Sequence, residues 1–528
     1  MLDLPPATIG LAVFVVLVYG YRVVRRRYPD IHPFALYHQS SIAPVRNSEE
    51  SAIYRSTLTP FTYPLISGLN IRDGHSFRDG DVRDIWKFAR HGKLGVFNKK
   101  NNEIVYHDYD TELTPLAQNV ASRFNEYVPK IKKIGICLPN SLENVVAFFS
   151  AAQYGITVVL LPLVSDMGEL TRYLGISQPD ILIFEDGHLD FTQLTLPKSI
   201  QCLIVVGPTT HGHLEWKDQL NDDVRSSIRV HTWEEVVSST PSPTTAVEAP
   251  EESFTGPAII VPYTTLLGKV ESAAFSHRNI VSAVAAQLRV VPKNESFKPA
   301  DIVLALDSLQ DMYTRIMLLA AFTAGTNVVL CDMPRGEFDF ESLRAINPTV
   351  MIVPTKSLHG LLTYSPSLII NLRLKRALGI LAAGNIPSPV LRLLPRLRLV
   401  YTHERQPVWQ RQTKTSEVND KTSSLTSAQI SLLRALLGAR VVYSLTNPRI
   451  AGPICQTHIY DYRNLGPVRV YGPVVPALEA IVKDTEHLKG GDRQGQLFVR
   501  GLPSADRGWV TTNIVGEWGD DGCFRELP

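Results

Sequence analysis

The chain of 528 residues is 44% hydrophobic and 20% charged, and its formal net charge is +2. This length is enough for two or three domains with a large core, and the near-neutral charge excludes a global field that attracts nucleic acid. The five cysteines are an odd, widely spaced set, which excludes a disulfide framework and a zinc pattern and favours buried free thiols: Cys137, Cys202, Cys331, Cys455 and Cys523.

The N-terminal stretch is the clearest non-globular feature. Residues 4–21 carry no charge, and a helix of this length spans roughly 27 Å, enough for a thin bilayer. Asp3 precedes the stretch, whereas Arg22 and residues 25–27 follow it, which is the reverse of the charge order in a cleaved signal peptide. A buried core helix followed at once by arginines is also less natural. We therefore predict a single transmembrane anchor over residues 4–24.

This anchor implies a location and a set of partners. The positive-inside rule places the arginines, and the body of the protein, in the cytosol. The endoplasmic reticulum is the first expectation for the membrane, with the mitochondrial outer membrane and the peroxisome as alternatives. The expected partners are the membrane itself and either an acyl lipid or another protein, and no nucleic acid.

Alternating strand and helix signals follow. Residues 25–77 are rich in Pro, Ser and His and predict an irregular connector, and organised sequence begins at residue 78. Residues 133–140 (KIGICLPN) predict a buried strand, the next residues predict a helix with Ser141 as N-cap, and residues 157–163 predict a second strand. Strands that alternate with helices imply parallel sheets with crossover connections.

The second half of the chain repeats this alternation. A Ser/Thr/Pro-rich linker is predicted over residues 237–256, and residues 257–263 (PAIIVPY) predict the strand after it. Residues 301–364 predict a second α/β series, and residues 410–425 predict a polar surface loop that Thr426 ends by capping a helix. The predicted division is an anchor (4–24), a connector (25–77), an α/β domain (78–465) and a β-rich subdomain (466–528).

Six segments carry a family resemblance through their order along the chain. They are IGICLPNSLENVVAFFSAAQYGITVVLLPL, PYTTLLGKVESAAFSHRNI, DIVLALDSLQDMYTRIMLLAAFTAGTNVVL, LRLVYTHERQP, ARVVYSLTNPRIAGP and GWVTTNIVGEWGDDG. In this order, from about residue 78 to the end, the chain resembles the adenylate-forming (AMP-binding) superfamily, in particular the acyl-CoA synthetases. No single motif of that family is intact.

The resemblance implies both a fold and a chemistry. The fold is α/β, with two α/β subdomains of mainly parallel sheets and a small β subdomain. Members of the family activate a carboxylate by attack on the α-phosphate of ATP and then transfer the acyl group to a thiol. A mobile C-terminal domain supplies them with a catalytic lysine, and because Pro528 follows soon after the GEWGDDG turn, we expect that domain to be absent.

The segment in the place of the family's phosphate loop is the most altered one. Such a loop needs small residues so that its backbone can approach the phosphates, hydroxyl groups that donate hydrogen bonds to them, and a lysine whose positive charge attracts them. With one deletion, the family's GTTGKPKG maps onto residues 265–272 (TLLGKVES), which retain Gly268 and Lys269. Leucines stand at 266 and 267 in place of two threonines, and Glu271 puts an anion where the family has its second lysine.

Two further motifs have lost their carboxylates. The magnesium ligand of the family's YGLTET is Asn447 here, although Tyr443 and Thr446 are retained, and an amide is a poor substitute on a hard cation. The aspartate that grips the ribose is Ile514 by a count without gaps, or Asn513 with a shift of one residue. Neither residue offers a carboxylate to the sugar.

The adenine side of the site has also changed. The family's GGA is His403, Glu404 and Arg405 here. These are three large polar residues at a place where the family's backbone must approach the adenine closely. The histidine of the family's LPLxHxYG is Asp311, while Tyr313 is retained. The degenerate nucleotide site implied by the resemblance comprises Thr264, Thr265, Gly268, Lys269, Tyr443, Thr446, Asn447, Asn513 and Ile514.

Several lesions at distinct sites predict that adenylation is lost, because removing one such interaction slows catalysis by about 10²–10³-fold. We therefore predict a membrane-anchored pseudoenzyme that acts as a lipid-binding, regulatory or scaffold protein, with no catalytic residue, cofactor or metal assigned. The alternative is a divergent, active acid–thiol ligase that uses ATP and Mg²⁺ to activate a fatty or other lipophilic acid.

A third interpretation is a different activity in the same cleft. Five residues suggest metal or acid–base chemistry by their type: His277, Asp311, His403, Glu404 and Asp461. No spacing such as HExxH supports a metal site, and isolated polar residues of this kind are more often surface or loop groups.

Overall fold

The computed structural model describes residues 14–16, 28–164, 166–207, 228–238, 254, 256–265, 267–331, 339–362, 368–404, 424–484 and 493–527. Most of the predicted anchor (4–24), of the linker (237–256) and of the polar loop (410–425) lies outside these residues. Residues 14–16 are helical and exposed. Within the described ranges, no helix combines the length and the apolar character that crossing a membrane requires.

Helices in the described ranges are numbered in chain order. They are α1 Pro33–Leu36, α2 Val82–Ala89, α3 Thr114–Tyr127 (preceded by a π-helical turn, Tyr109–Leu113), α4 Leu142–Gln153, α5 Met167–Ser177, α6 Trp233–Ser238, α7 His277–Val290, α8 Met312–Thr323, α9 Phe340–Ile346, α10 Thr355–Leu362, α11 Leu368–Ala382 and α12 Ser427–Leu437. The predicted N-caps Ser141 and Thr426 are confirmed, since their side chains accept from the backbone N–H of Asn144 and Gln429.

Strands are numbered in the same way. The first half of the chain contains β1 Ser40–Ile42, β2 Tyr54–Ser56, β3 Ile71–Asp73, β4 Ser76–Arg78, β5 Leu94–Asn98, β6 Glu103–His107, β7 Lys133–Cys137, β8 Thr157–Leu160, β9 Ile181–Glu185, β10 Cys202–Val206, β11 Arg229–Thr232 and β12 Pro257–Thr264. The second half contains β13 Val270–Ser276, β14 Ile302–Ala305, β15 Asn327–Leu330, β16 Val350–Ile352, β17 Leu399–Glu404, β18 Arg440–Thr446, β19 Pro453–Gln456, β20 Val470–Gly472, β21 Leu478–Lys483, β22 Gln494–Gly501, β23 Val510–Trp518 and β24 Phe524–Glu526.

Two large sheets are mainly parallel, as the sequence predicts. The first sheet has the order β11-β10-β9-β7-β8-β12-β13, and β13 is its antiparallel edge strand. The second sheet has the order β19-β18-β17-β16-β14-β15-β5-β6, with antiparallel strands β19 and β6 at its two edges. Helices join several of the parallel strands in between, as α4 joins β7 to β8 and α8 joins β14 to β15, and such crossovers are the usual connection of parallel strands.

A third sheet is antiparallel and has the order β1-β2-β21-β22-β23-β24-β20. Its strands β20 to β24 fall in the predicted β-rich subdomain. Its strands β1 and β2 come from the segment predicted as an irregular connector, where β2 pairs with β21 through Tyr54 opposite Ala480. Pairing over more than 400 residues leaves no local sequence pattern, because three-residue strands are too short to show a period.

The main core lies between the two large sheets. Helices α2, α3, α4, α7 and α8 share one hydrophobic cluster with the inner faces of both sheets. Alternate residues divide between the faces: Val350 and Ile352 of β16 point into this cluster, whereas Met351 belongs to a second cluster on the outer face. That second cluster joins the second sheet to the third sheet and to α12. Helix α5 covers the outer face of the first sheet.

Candidate functional site

The segment in the place of a phosphate loop is a tight turn between β12 and β13. The Gly268 N–H donates to the Thr265 carbonyl at 2.8 Å, and the Thr265 N–H donates to the Lys269 carbonyl at 2.8 Å. Gly268 has φ +77°, a left-handed conformation that favours glycine. Two backbone N–H groups of the turn are therefore used inside it, and the Leu267 side chain is 94% exposed. Residue 266 lies outside the described ranges.

The charges of this turn pair with each other. Lys269 Nζ lies 3.2 Å from Glu271 Oε1, and the Tyr263 hydroxyl donates to Glu271 Oε2 at 3.1 Å. The hydrogen bonds from Lys269 and Tyr263 lower the pKa of Glu271, so this carboxylate is ionised at neutral pH. Burial, together with the neighbouring Glu271, raises the pKa of Tyr263 to about 12, which keeps its hydroxyl protonated as a donor.

The threonine that precedes the turn is held by helix α5. Thr264 is 4% exposed, and its Oγ1 lies 3.0 Å from the Tyr173 hydroxyl and 3.3 Å from Glu169 Oε1. Tyr173 and Glu169 also bond to each other, at 2.5 Å. Burial raises the pKa of Tyr173, and its bond to Glu169 adds to the effect. The Thr264 hydroxyl thus contributes hydrogen bonds that hold β12 against α5.

Beyond the turn, the chain forms an additional strand before the helix. Residues 270–276 are β13, and only then does α7 begin, with Ser276 as its N-cap in a capping box with Asn279. In β13, Glu271 lies opposite Tyr263 across the strand pair. This opposition explains why Glu271 and Tyr263 can bond, and the sequence pattern alone did not indicate it.

The retained residues of β18 face opposite sides of the second sheet. Tyr443 points to the outer cluster, where its hydroxyl donates to Glu404 Oε2 and accepts from the Leu425 N–H. Burial raises the pKa of Tyr443 well above its usual value, and the charge of Glu404 raises it further. Thr446 instead donates its hydroxyl to the Glu404 carbonyl at 2.8 Å and lies 3.3 Å from His403 Nδ1.

Asn447, in the place of the magnesium ligand, bonds to backbone groups. Its Oδ1 accepts from the Arg449 N–H at 2.9 Å, and its Nδ2 donates to the Thr512 carbonyl at 3.4 Å. The residue is 7% exposed. The contact with Thr512 brings the end of β18 beside β23.

The two candidates for the ribose-binding position, Asn513 and Ile514, lie in different surroundings, and neither has a carboxylate. Asn513 is exposed, has φ +58°, and accepts from Gln496 Nε2 at 3.2 Å. Ile514 is partly buried and packs against the outer cluster of the second and third sheets. Asn447 thus contacts β23 at Thr512, whereas Tyr443 and Ile514 both lie at the outer cluster.

A buried histidine occupies the adenine-side segment. His403 Nε2 lies 3.0 Å from Asp307 Oδ2 and 3.6 Å from Asp311 Oδ1. The His403 side chain is 1% exposed, and its ring packs against the ring of Tyr313 with centroids 4.4 Å apart.

The sequence interpretation missed Asp307 in this cluster. Its signal was available, since Asp307 lies two residues after the end of β14 and the carboxyl ends of parallel strands meet at one edge of a sheet. Of the five residues considered for a different activity, only His403 and Asp311 come together.

The other three have separate surroundings. Glu404 accepts from the hydroxyls of Tyr443 and Tyr471, the latter at 2.7 Å. Burial lowers the pKa of His277 to about 4, and Asp461 pairs with Arg463 at 2.6 Å. Within the described residues, no group of three or more His, Cys, Asp or Glu side chains is arranged to hold a metal ion.

Comparison with known proteins identifies relatives along most of the chain. The family model described as AMP-binding enzyme matches residues 96–505. The putative uncharacterized protein YHR045W of Saccharomyces cerevisiae is 25% identical over 543 residues, which cover 94% of this chain and 93% of that protein.

Solved structures share the fold. The luciferase-like enzyme of the mealworm Zophobas morio has a TM-score of 0.61 at 15% identity, covering 88% of this chain and 98% of its own. The anthranilate CoA ligase AuaEII, solved with anthranoyl-AMP, has a TM-score of 0.61 at 14% identity, and the match covers 85% of this chain and 77% of that ligase. A putative long-chain-fatty-acid CoA ligase of Rhodopseudomonas palustris has a TM-score of 0.58 at 15% identity, and the match covers 85% of this chain and 98% of that ligase. With the family model matching well over half of its length, the chain belongs to the AMP-binding enzyme family.

Proposed function

We propose that this protein is a pseudoenzyme of the AMP-binding family: a membrane-anchored protein that does not adenylate an acid and instead serves a lipid-binding, regulatory or scaffold role. The observation that carries this proposal is the closed turn at residues 265–268. A phosphate loop acts by presenting unpaired backbone N–H groups to a polyphosphate. Here the N–H groups of Thr265 and Gly268 already bond to carbonyls of the same turn.

The charge of the turn opposes ATP as well. Lys269 is paired with Glu271, so the net charge of the two side chains is zero where the family has two lysines. The Lys269 side chain is 75% exposed and that of Glu271 is 38% exposed, so water and salt screen their field and this effect is modest by itself. Together with the used N–H groups of Thr265 and Gly268, this pairing disfavours a triphosphate at the described residues of the turn.

The remaining donor sets do not fit a nucleotide and its metal. Mg²⁺ prefers carboxylate and phosphate oxygens in octahedral geometry, whereas Asn447 offers an amide that already bonds to two backbone groups. On the adenine side, the family needs small residues, and His403 fills that position with a ring bonded to Asp307. We therefore derive no reaction step through ATP or Mg²⁺ for this chain.

Binding of ATP and release of pyrophosphate test the proposal. We expect purified full-length protein to show no shift in melting temperature with ATP and Mg²⁺, and no pyrophosphate when fatty acids and coenzyme A are added. A clear shift accompanied by pyrophosphate release would establish the alternative, a divergent acid–thiol ligase for a lipophilic acid. An active acyl-CoA synthetase assayed in the same mixtures is the control for the reagents.

The proposed anchoring rests on the uncharged stretch at residues 4–21 and the arginines after it. We propose a single span over residues 4–24 with the body in the cytosol, in the endoplasmic reticulum first, or in the mitochondrial outer membrane or the peroxisome. Extraction of membranes at alkaline pH should leave the protein in the pellet, and added protease should digest the body in sealed microsomes. Recovery in the alkaline supernatant would contradict the span.

A further inference from the structure

Helix α11 has one buried face and one unusual exposed face. Its buried face packs against α12 through residues at positions i, i+4, i+7 and i+11: Ile370, Leu374, Ala377 and Leu381. The opposite face carries Ile369, which is 66% exposed, and Leu372, which is 73% exposed. Arg373 and Arg376 continue the same exposed face at the spacing of one helical turn, and both are exposed.

The charge around this helix has one sign. Residues 342–403 contain eight Lys or Arg and no Asp or Glu. On α11, Arg373, Lys375 and Arg376 are exposed. In the parts of the chain that the structure describes, none of these three cations lies within ion-pair distance of a carboxylate. Exposed apolar side chains beside unpaired cations are the composition of a helix that lies at the interface of an anionic membrane.

The N-terminal segment at Asp30 is hydrogen-bonded beside the C-terminal end of helix α11. The Asp30 N–H donates to the Gly384 carbonyl at 2.8 Å, two residues after α11 ends. The Asp30 carboxylate accepts from the Tyr462 hydroxyl at 2.7 Å and lies 3.2 Å from an Arg440 nitrogen. Tyr462 belongs to the cluster that α11 packs against. Asp30, six residues after the proposed span, is therefore held at the end of α11, and Gly384 lies twelve residues after Leu372, about 18 Å at the rise of a helix.

We propose that the exposed face of α11 (Ile369, Leu372, Arg373 and Arg376, with Lys375 at its edge) docks on the surface of a membrane that contains anionic phospholipid. Ile369 and Leu372 enter the boundary between headgroups and acyl chains, while the guanidinium groups of Arg373 and Arg376 bind headgroup phosphates. This contact orients the body against the bilayer in a defined way. The inference does not depend on the loss of adenylation, but it rests on the proposed anchor at residues 4–24.

A fluorescent probe at Leu372 tests this docking in the full-length protein. All five native cysteines are buried, so a Leu372→Cys variant takes a thiol-reactive, environment-sensitive dye at one position. The protein is reconstituted in vesicles of phosphatidylcholine with or without phosphatidylserine, each with a quencher on the lipid. The control is Ile176→Cys, which is an exposed apolar position on helix α5 and lies on the far outer face of the first sheet.

We expect the emission at position 372 to shift to the blue and to be quenched in vesicles that contain phosphatidylserine, and the probe at position 176 to stay in water. In the Leu372→Cys background, Arg373→Glu with Arg376→Glu should abolish the shift, and added salt should weaken it. Lys130→Glu with Lys132→Glu, two exposed cations on another surface, should leave the shift intact.

Three results would overturn the proposal. The first is equal emission of both probes in all vesicles, and the second is a shift at position 372 that survives the reversal of both arginine charges. The third is a probe that stays in water with every lipid and is shielded only by an acidic protein, which would make the helix a protein-binding surface. Because all the changed side chains are exposed, we expect the variants to fold, and Arg376→Glu alone provides a milder second variant. A failed anchor is recognised separately, because the protein would then not float with vesicles of any composition, whereas the three results above are read on protein that floats with the vesicles.

Discussion

His403 at the end of β17 and Asp307 just beyond the end of β14 form a buried contact of 3.0 Å across the intervening strand β16, 96 residues apart in sequence. In the family, the segment at His403 is a pair of glycines followed by an alanine, where backbone approaches the adenine. In this chain an imidazole with a carboxylate partner takes that place, so a position that the family uses for ligand is used here for internal contacts. The stability of the fold therefore depends on residues that relatives keep for the nucleotide.

Removing Asp307 tests this dependence. We expect Asp307→Ala to lower the free energy of unfolding by about 3 kcal/mol, because it leaves the His403 ring without its acceptor in a site with almost no water. Asp307→Asn keeps an acceptor oxygen and should cost less. Urea unfolding of the two variants measures the difference, with Asp311→Asn as control, since asparagine can also cap helix α8 at that position. Equal stability of Asp307→Ala and the unmodified protein would contradict a structural role for the pair.

Restoring the missing lysine of the turn should not restore the nucleotide site. In a Glu271→Lys variant, the N–H groups of Thr265 and Gly268 remain bonded within the turn, so we expect no binding of ATP and no release of pyrophosphate. Stability should change by less than about 0.5 kcal/mol, because Lys269 is largely exposed, Glu271 is partly exposed, and ion pairs that water reaches contribute little. Calorimetric titration with ATP and Mg²⁺ gives the readout, and Glu271→Gln separates loss of the anion from gain of a cation. Measurable ATP affinity in Glu271→Lys alone would show that charge, and not the turn, prevents binding.

Two glycine-to-alanine changes should have opposite signs. Gly268 has φ +77°, so Gly268→Ala places a side chain in the left-handed region and should cost about 1 kcal/mol. Gly175 lies inside helix α5, and a Cβ built there meets no atom within 4 Å, so Gly175→Ala should stabilise the protein by about 0.5–1 kcal/mol. Melting temperatures of the two variants, measured side by side, provide the comparison. A Gly268→Ala variant as stable as Gly175→Ala would mean that the turn has another backbone conformation.

The buried His277 at the start of α7 should make the free energy of unfolding depend on pH. Burial lowers the pKa of His277 to about 4, below the value of about 6.5 in an unfolded chain. Between these values the unfolded state binds a proton that the folded state does not, so this contribution to stability is full above pH 6.5 and falls as the pH is lowered. By linkage the loss is about 1.4 kcal/mol per pH unit, or about 2 kcal/mol at pH 5.

Denaturant titrations from pH 7 to pH 5 measure this slope, and His277→Gln should flatten it. His231 is a suitable control, because its side chain is partly exposed and its Nδ1 lies 3.3 Å from Glu235. A His231→Gln variant should keep the slope. The same slope in His277→Gln would assign the pH dependence to other groups.

The sequence by itself determined the features that depend on neighbouring residues. The N-caps at Ser141 and Thr426 and the turn glycine at Gly268 follow from side-chain and backbone chemistry within four residues. The alternation of apolar runs with helical periods predicted two mainly parallel sheets, because the period of the apolar residues reflects burial on one face or on both. The order of six degenerate segments then indicated the family.

Only the tertiary structure decided which distant side chains meet. His403 and Glu404 are adjacent in sequence, yet successive residues of a strand point to opposite faces, so one joins Asp307 and the other joins Tyr443. The pairing of β2 with β21, and the position of Asp30 beside the end of α11, likewise follow from the order of strands and layers. That order minimises exposed apolar surface over the whole chain, a condition that no short stretch of sequence contains.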